Sequence, residues 1–218
     1  MKKIALSVVT FLLSSIFVMG EATPIYEYRN EVLKKIDAQL DKERDRQRLK
    51  NLNAQFEEAL NEYIDIESTN RNSNVIFQLG DQYFRMNQLE RAEKIFAMDK
   101  SDIKNLFGAA TTARFLGKNQ EAISRYNEVL DMNPSFYEAY LGRGIANRNL
   151  KNYDSAISDF REYLEYNKDE YVYAGIGDIY MATDRYQEAK NILEQGRGLF
   201  PNSKILRELL SKVYGKIK

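Results

Sequence analysis

Residues 173–201 decide the fold, and they read YAGIGDIYMATDRYQEAKNILEQGRGLFP. Large apolar residues recur every three or four positions in the first half, which is the spacing of one helix face around Gly177. The second half repeats this spacing around Ala189 and ends at Pro201, because proline cannot continue a helix. The stretch therefore predicts two antiparallel helices joined by a tight turn, with small residues where the backbones approach each other.

The same pattern occurs at four places in the chain. Alanine marks the second helix at residues 92, 122, 156 and 189, which lie 30, 34 and 33 residues apart. Gly80, Ala110, Gly144 and Gly177 mark the first helix with the same three spacings. Two independent markers that share one period indicate an internal repeat. Since one hairpin cannot bury its apolar face, the units are expected to stack and share a core.

This repeat resembles the tetratricopeptide repeat, whose pattern is aromatic-x2-Leu-Gly-x2-Tyr, then Ala-x3-Phe, then Pro. The first copy reads Ile76-x2-Leu79-Gly80-x2-Tyr83, followed by Ala92-x3-Phe96. The resemblance implies an all-α fold, a right-handed α-α superhelix of helix-turn-helix units. We expect four units at 73–102, 103–136, 137–169 and 170–203. Residues 204–218 are amphipathic and are expected to form a capping helix, with a free membrane-surface helix as the alternative.

The N-terminal part of the chain carries two further predictions. Lys2 and Lys3 precede an apolar run that ends at Gly20, which is typical of a secretory signal peptide over residues 1–20; a retained membrane anchor is the alternative. No Cys is present for lipid attachment. Residues 21–72 are charged and helical in pattern, and we expect a degenerate repeat or a short coiled coil there, with self-association through residues 26–66 as an option.

Composition excludes several chemistries. The chain has no His and no Cys, so it lacks the residues of serine or cysteine triads and of zinc fingers, and we expect no enzyme, cofactor or metal site. Carboxylate pairs such as Asp159 with Glu162, or Asp65 with Glu67, are interpreted as solvated helix faces. Loss of residues 1–20 leaves 30 basic and 32 acidic residues. A net charge of −2 favours neither nucleic-acid binding nor membrane insertion.

The resemblance also implies a function, because the first helices of such units line a concave groove that holds a peptide or a partner's helix. By analogy, the expected groove residues are Phe77, Asp81, Phe84, Arg85, Phe107, Thr111, Arg114, Phe115, Leu141, Ile145, Arg148, Tyr171 and Asp178. Arg114 and Arg148 occupy equivalent positions and would suit a partner segment with carboxylates. The alternative is that the Phe residues pack between helices and the Arg residues are solvated.

These observations predict an exported scaffold or adaptor that binds a protein or peptide segment. The layout of signal, charged N-terminal region and repeats is similar to that of periplasmic coordinators of the bacterial cell envelope. The expected location is the periplasm, or outside the cell, without a lipid anchor. The competing hypothesis is a self-associating structural protein of the envelope that uses the N-terminal helices.

Overall fold

The computed structural model describes residues 54 and 73–217, and residues 73–217 contain nine helices and no strand. We number them α1 (Ser73–Arg85), α2 (Leu89–Phe96), α3 (Ile103–Phe115), α4 (Asn119–Met132), α5 (Tyr137–Asn149), α6 (Tyr153–Tyr166), α7 (Glu170–Ala182), α8 (Tyr186–Leu199) and α9 (Lys204–Tyr214). Successive helices pack as hairpins. We refer to α1, α3, α5, α7 and α9 as A helices and to α2, α4, α6 and α8 as B helices. The expected all-α superhelix is confirmed. The predicted signal and the region 21–72 lie outside the described residues, apart from Ala54.

All four turns inside the hairpins close in the same way. Each turn contains one residue with positive φ. These residues are Asn87, Gly117, Lys151 and Asp184, and they repeat with the period of the units. The next backbone N–H reaches back to a carbonyl in the last turn of the A helix, for example from Lys118 to Ala113 at 2.9 Å. This pattern is the Schellman motif, which satisfies carbonyls that a helix end leaves unpaired. Only Gly117 adopts this conformation without a Cβ penalty.

Glycines of the A helices make room for large side chains of the B helices. A Cβ at Gly144 would lie 2.7 Å from two ring carbons of Phe160, and one at Gly177 would lie 2.5 Å from Leu193 Cδ2. The sequence argument placed backbone against backbone at these points. In the structure the space goes to a side chain instead, and this places the ring of Phe160 in the core.

The hairpin α1–α2 is shorter than the others but still packs on the next one. Helix α2 has 8 residues, whereas α4, α6 and α8 have 14 each. Its last residue, Phe96, is buried, and its ring lies against both Gly80 of α1 and Gly108 of α3. A single aromatic ring between two glycines thus joins the first two hairpins despite the short helix.

Helix α9 covers the end of the array. Leu206, Leu210 and Val213 are buried against α7 and α8. The Ser203 hydroxyl accepts a hydrogen bond from the Leu206 N–H and so caps the helix. Its other side carries charged residues, as expected of a helix that ends a repeat array. Within residues 73–217, no helix has the length and apolar character needed to cross a membrane.

Candidate peptide-binding groove

The A helices form the inner layer of the superhelix. Three pairs of successive A helices pack directly against each other, namely α1 with α3, α3 with α5 and α7 with α9, whereas no pair of successive B helices in the described part of the chain packs to this extent. In a curved stack the more closely spaced layer lies on the concave side. The exposed face of the A helices is therefore the surface on which a groove would lie.

The predicted groove residues all lie on these A helices, and none of them is fully buried. Arg85, Phe115, Tyr171 and Asp178 are exposed. The other members are half-buried, namely Phe77, Asp81, Phe84, Phe107, Thr111, Arg114, Leu141, Ile145 and Arg148. Partial burial is expected of side chains on this surface, because neighbouring helices cover their sides and leave their outer ends exposed to solvent.

An aromatic cluster lies where α1 and α3 end. The rings of Phe84 and Phe115 meet edge to face, with centroids 5.1 Å apart. The guanidinium carbon of Arg114 lies 4.5 Å from the centroid of Phe115. Phe115 keeps 56% of its surface exposed. These three side chains therefore present an apolar ring beside a cation, which we call the Arg114–Phe115 cluster.

Two of the predicted groove aromatics serve mainly in packing. Phe77 lies 6.0 Å from the ring of Phe96, and Phe107 lies 4.9 Å from the ring of Phe136 and 5.9 Å from that of Tyr126. The packing alternative therefore applies to these two positions. Both side chains are half-buried, and their rings pack against Phe96 and Tyr126 of the B helices.

The arginines of the array differ in whether the chain itself pairs them. On the B helix α4, Arg125 pairs with Glu93 and Glu121, and on the A helix α5, Arg143 pairs with Asp159 of α6. Within residues 73–217, Arg114 and Arg148 make no ion pair, and the buried Nε of Arg114 has no hydrogen-bond acceptor. Arg85 differs from both, because its Nε donates to Asp81 at 2.7 Å. Of the three arginines among the predicted groove residues, two therefore have free guanidinium groups in this part of the chain and one is paired.

Thr111 and the apolar members at the middle of the array are tied to the core. The hydroxyl groups of Thr111 and Tyr126 lie 3.0 Å apart. Leu141 and Ile145 pack against the buried cluster of the last two hairpins. Next to Ile145, Arg148 reaches across to α7, where its Nη1 would lie 3.8 Å from a Cβ at Gly175. The absence of a side chain at Gly175 thus leaves space beside the second free arginine.

The carboxylate pair Asp159 and Glu162 does not form an acid/base site. Asp159 is buried and accepts two hydrogen bonds from Arg143 Nε at 3.1 Å, one from Arg143 Nη2 at 2.6 Å and one from Asn147 at 3.1 Å. Its oxygens are therefore occupied inside the fold, and the interpretation of Asp159 as part of a solvated helix face is wrong for this residue. The described residues contain no group of acidic or imidazole side chains that would hold a metal ion. Asp65 and Glu67 lie outside them.

Sequence reasoning missed a second surface at the opposite end of the A helices. Tyr171 was predicted to line the groove, but it also lines an open cleft of about 720 Å³ together with Leu199, Pro201 and Ile205. Nearby, the rings of Tyr137 and Tyr166 stack with centroids 3.7 Å apart. The only signal in the sequence was the group of tyrosines and carboxylates between residues 162 and 171.

Family comparisons agree with this geometry. Family models described as tetratricopeptide repeat match residues 107–170 and residues 149–213. No curated protein sequence matches the chain. Repeats of this kind are generally non-enzymatic scaffolds for protein–protein interaction.

Solved structures are similar over most of the chain. A tetratricopeptide repeat protein from Parabacteroides merdae is 26% identical with a TM-score of 0.60, over 87% of this chain and 73% of that one. A crystal structure of MamA protein is 17% identical with a TM-score of 0.62, over 69% of this chain and 82% of that one. The Cut9 and Hcn1 assembly of the APC/C contains a chain that is 19% identical with a TM-score of 0.59, over 76% and 34% of the respective chains. Together with the family matches, these neighbours support a tetratricopeptide-repeat protein with the fold of an interaction scaffold.

Proposed function

We propose that the protein is an exported scaffold that binds a segment of another protein against the exposed face of its A helices. The observation that carries this proposal is the Arg114–Phe115 cluster. An arginine with a buried, unpaired Nε lies on an exposed phenylalanine ring, and it has no ion pair within residues 73–217. Because Nε itself is buried, a bound carboxylate would meet this half-buried guanidinium group through its Nη groups, which have no acceptor within the described residues.

The chemistry of the partner follows from this cluster. A guanidinium group matches a carboxylate with two parallel hydrogen bonds, and this geometry distinguishes arginine from lysine. The ring of Phe115 offers an apolar contact beside the ion pair, and Phe84 supports that ring from α1. The partner segment would therefore carry an acidic residue next to an apolar one, with a second carboxylate directed at Arg148.

The proposed setting is the envelope of a bacterium with an outer membrane. The apolar leader ending at Gly20 supports export, and the similarity to a Parabacteroides merdae protein supports a bacterial source. Sequencing the N-terminus of the protein purified from cells that express the full chain tests the first part. A start at Glu21 supports export with cleavage, whereas a start at Met1 contradicts it.

The binding test is affinity capture from an envelope extract, with the native protein beside an Arg114→Glu/Arg148→Glu variant. An Arg197→Glu/Lys212→Glu variant is the matched control, since it makes the same charge change on exposed residues of α8 and α9. We expect one partner to be held by the native and control proteins and lost from the folded groove variant. Equal capture by all three would refute the role of the two arginines.

The same samples test the competing structural role. The mass of the purified protein in solution, measured by light scattering, shows whether the chain associates with itself. A stable oligomer that captures no other protein would favour the self-associating envelope protein over the scaffold.

A further inference from the structure

A second interaction surface lies at the edge of the array where B helices end and A helices begin. Tyr137 starts α5 and Tyr166 ends α6, and their rings stack at 3.7 Å with an interplanar angle of 17°. Tyr166 is 64% exposed, and Tyr171, in the first turn of α7, is 69% exposed. We call these three residues the tyrosine edge. A pair of stacked rings with one face open to solvent presents the negative potential of the aromatic face to a partner.

Carboxylates surround this tyrosine edge, and the chain does not neutralise them. A hydrogen bond with Tyr137 and the negative charges of Glu162 and Glu165 raise the pKa of Tyr166. Within residues 73–217, neither of these glutamates makes an ion pair. An exposed aromatic pair with two free carboxylates favours a cation as its occupant.

The negative field extends along the edge to α5 and α7. Burial raises the pKa of Tyr163, and the charges of Asp169 and Glu138 raise it further. Lys168 lies in the same loop, Glu170 follows at the start of α7, and Lys204 of the adjoining cleft pairs with Glu208 at 3.8 Å. The carboxylates therefore outnumber the cations along this edge. Nucleic acid and anionic membranes would be repelled from it.

A cleft with a mixed polar and apolar lining continues the edge toward α9. Tyr171 and Leu199 line it, and Leu199 is 42% exposed although it is a large apolar residue. Ile205 also lines it, as do the polar residues Glu170, Asn202, Ser203, Lys204 and Glu208. A cleft of about 720 Å³ has room for one or two side chains of a partner.

We propose that the tyrosine edge, with its carboxylates and the adjoining cleft, binds a basic and apolar segment of a partner protein. An arginine of that segment stacks on the exposed ring of Tyr166 and pairs with Glu162 and Glu165. An apolar side chain of the same segment enters the cleft beside Tyr171. This surface carries the opposite charge to the two groove arginines, so the scaffold would hold two partner segments of opposite character.

The experiment uses the purified protein and a labelled peptide in which arginine alternates with leucine, with binding followed by fluorescence anisotropy. A peptide with citrulline in place of arginine is the control ligand, because it keeps the shape without the charge. We expect the arginine peptide to bind more tightly, and its binding to weaken as salt rises.

Two variants locate the site. Glu162→Gln/Glu165→Gln should weaken binding about threefold to tenfold, the effect of losing two partly solvated ion pairs. Tyr166→Ala should weaken it as well, whereas Tyr166→Phe keeps the ring and should bind as the native protein does. Circular dichroism of each variant confirms that the array is folded.

Two further variants separate this site from the rest of the molecule. Glu121→Gln/Asp154→Asn makes the same charge change at the opposite edge, where the B helices begin, and should leave peptide binding unchanged. The Arg114→Glu/Arg148→Glu variant should bind the basic peptide as tightly as the native protein does. Loss of binding at the groove would then leave binding at the tyrosine edge intact. Binding that is indifferent to Glu162, Glu165 and Tyr166 would overturn the proposal. Self-association that these substitutions abolish would overturn the assignment to a partner protein.

Discussion

Replacement of Gly144 by alanine tests how the hairpins are packed. A Cβ at this position would lie 2.7 Å from ring carbons of Phe160 and 3.1 Å from Asp159 Cβ. Overpacking of this kind lowers the free energy of unfolding by about 1–3 kcal/mol. Alanine has a higher helix propensity than glycine, which offsets about 1 kcal/mol of that loss. We therefore expect Gly144→Ala to lower the free energy of unfolding by up to about 2 kcal/mol.

The chain offers a matched control in Gly198, which also lies in a helix but has no atom beyond the adjacent backbone of its own helix within 4 Å of the position that an added methyl group would take. Gly198→Ala should raise stability by about 0.5–1 kcal/mol because only the helix propensity changes. Urea denaturation followed by circular dichroism measures both variants. For a protein of this size, each kcal/mol also corresponds to a shift of about 2–4 °C in the melting temperature.

A double substitution identifies the cause. In a Phe160→Leu background, Gly144→Ala should cost less than it does alone, since the ring that it meets has gone. The reasoning would be refuted if Gly144→Ala stabilised the protein as Gly198→Ala is expected to do. It would also be refuted if the cost were the same with and without the ring of Phe160.

Three further predictions concern stability. Lys151→Gly should stabilise the protein by about 0.5–1 kcal/mol in thermal melts because Lys151 has positive φ, and Gly117→Lys should destabilise it by a similar amount. Asp159→Ala should cost about 3 kcal/mol in urea denaturation, because it leaves Arg143 without its carboxylate, and an unchanged midpoint would contradict this. Burial raises the pKa of Asp99, but hydrogen bonds outweigh this and hold the pKa below its usual value. The stability that Asp99 contributes should therefore be present above its unfolded pKa and lost as pH falls through the folded one, and Asp99→Asn should remove this part of the pH dependence.

The fold could be predicted because its determinants are local and periodic. Each hairpin has small residues at equivalent positions, and the turn residues with positive φ also recur at equivalent positions. Equivalent residues such as Gly80 and Gly144 therefore strengthen the prediction of a repeat. The identity of the atoms at each close contact was not predictable in this way. Phe96 fills the space beside Gly108 of the following hairpin, and no pattern within one unit shows a contact between units.

The candidate site was predictable only in part. The A-helix positions follow from the repeat register, and all the predicted groove residues lie on A helices. Whether a residue serves in packing or faces a partner depends on its neighbours in the adjoining helices. Phe107 meets Tyr126 and Phe136, whereas Phe115 meets the single ring of Phe84 within residues 73–217 and remains exposed. The pairing of Arg85 with Asp81 likewise depends on side-chain conformation, which the register does not determine.

Position-specific photo-crosslinking tests the central claim, that a partner segment lies on the A-helix face, most directly. A photoreactive amino acid replaces Phe115 or Asp178 on that face, and in matched proteins Ser124 or Ser158, which are exposed on the B helices. After illumination in cells that express the full chain, the account predicts a crosslinked protein adduct from Phe115 and Asp178 and none from Ser124 and Ser158. Adducts from the B-helix positions alone, or equally from both faces, would contradict it.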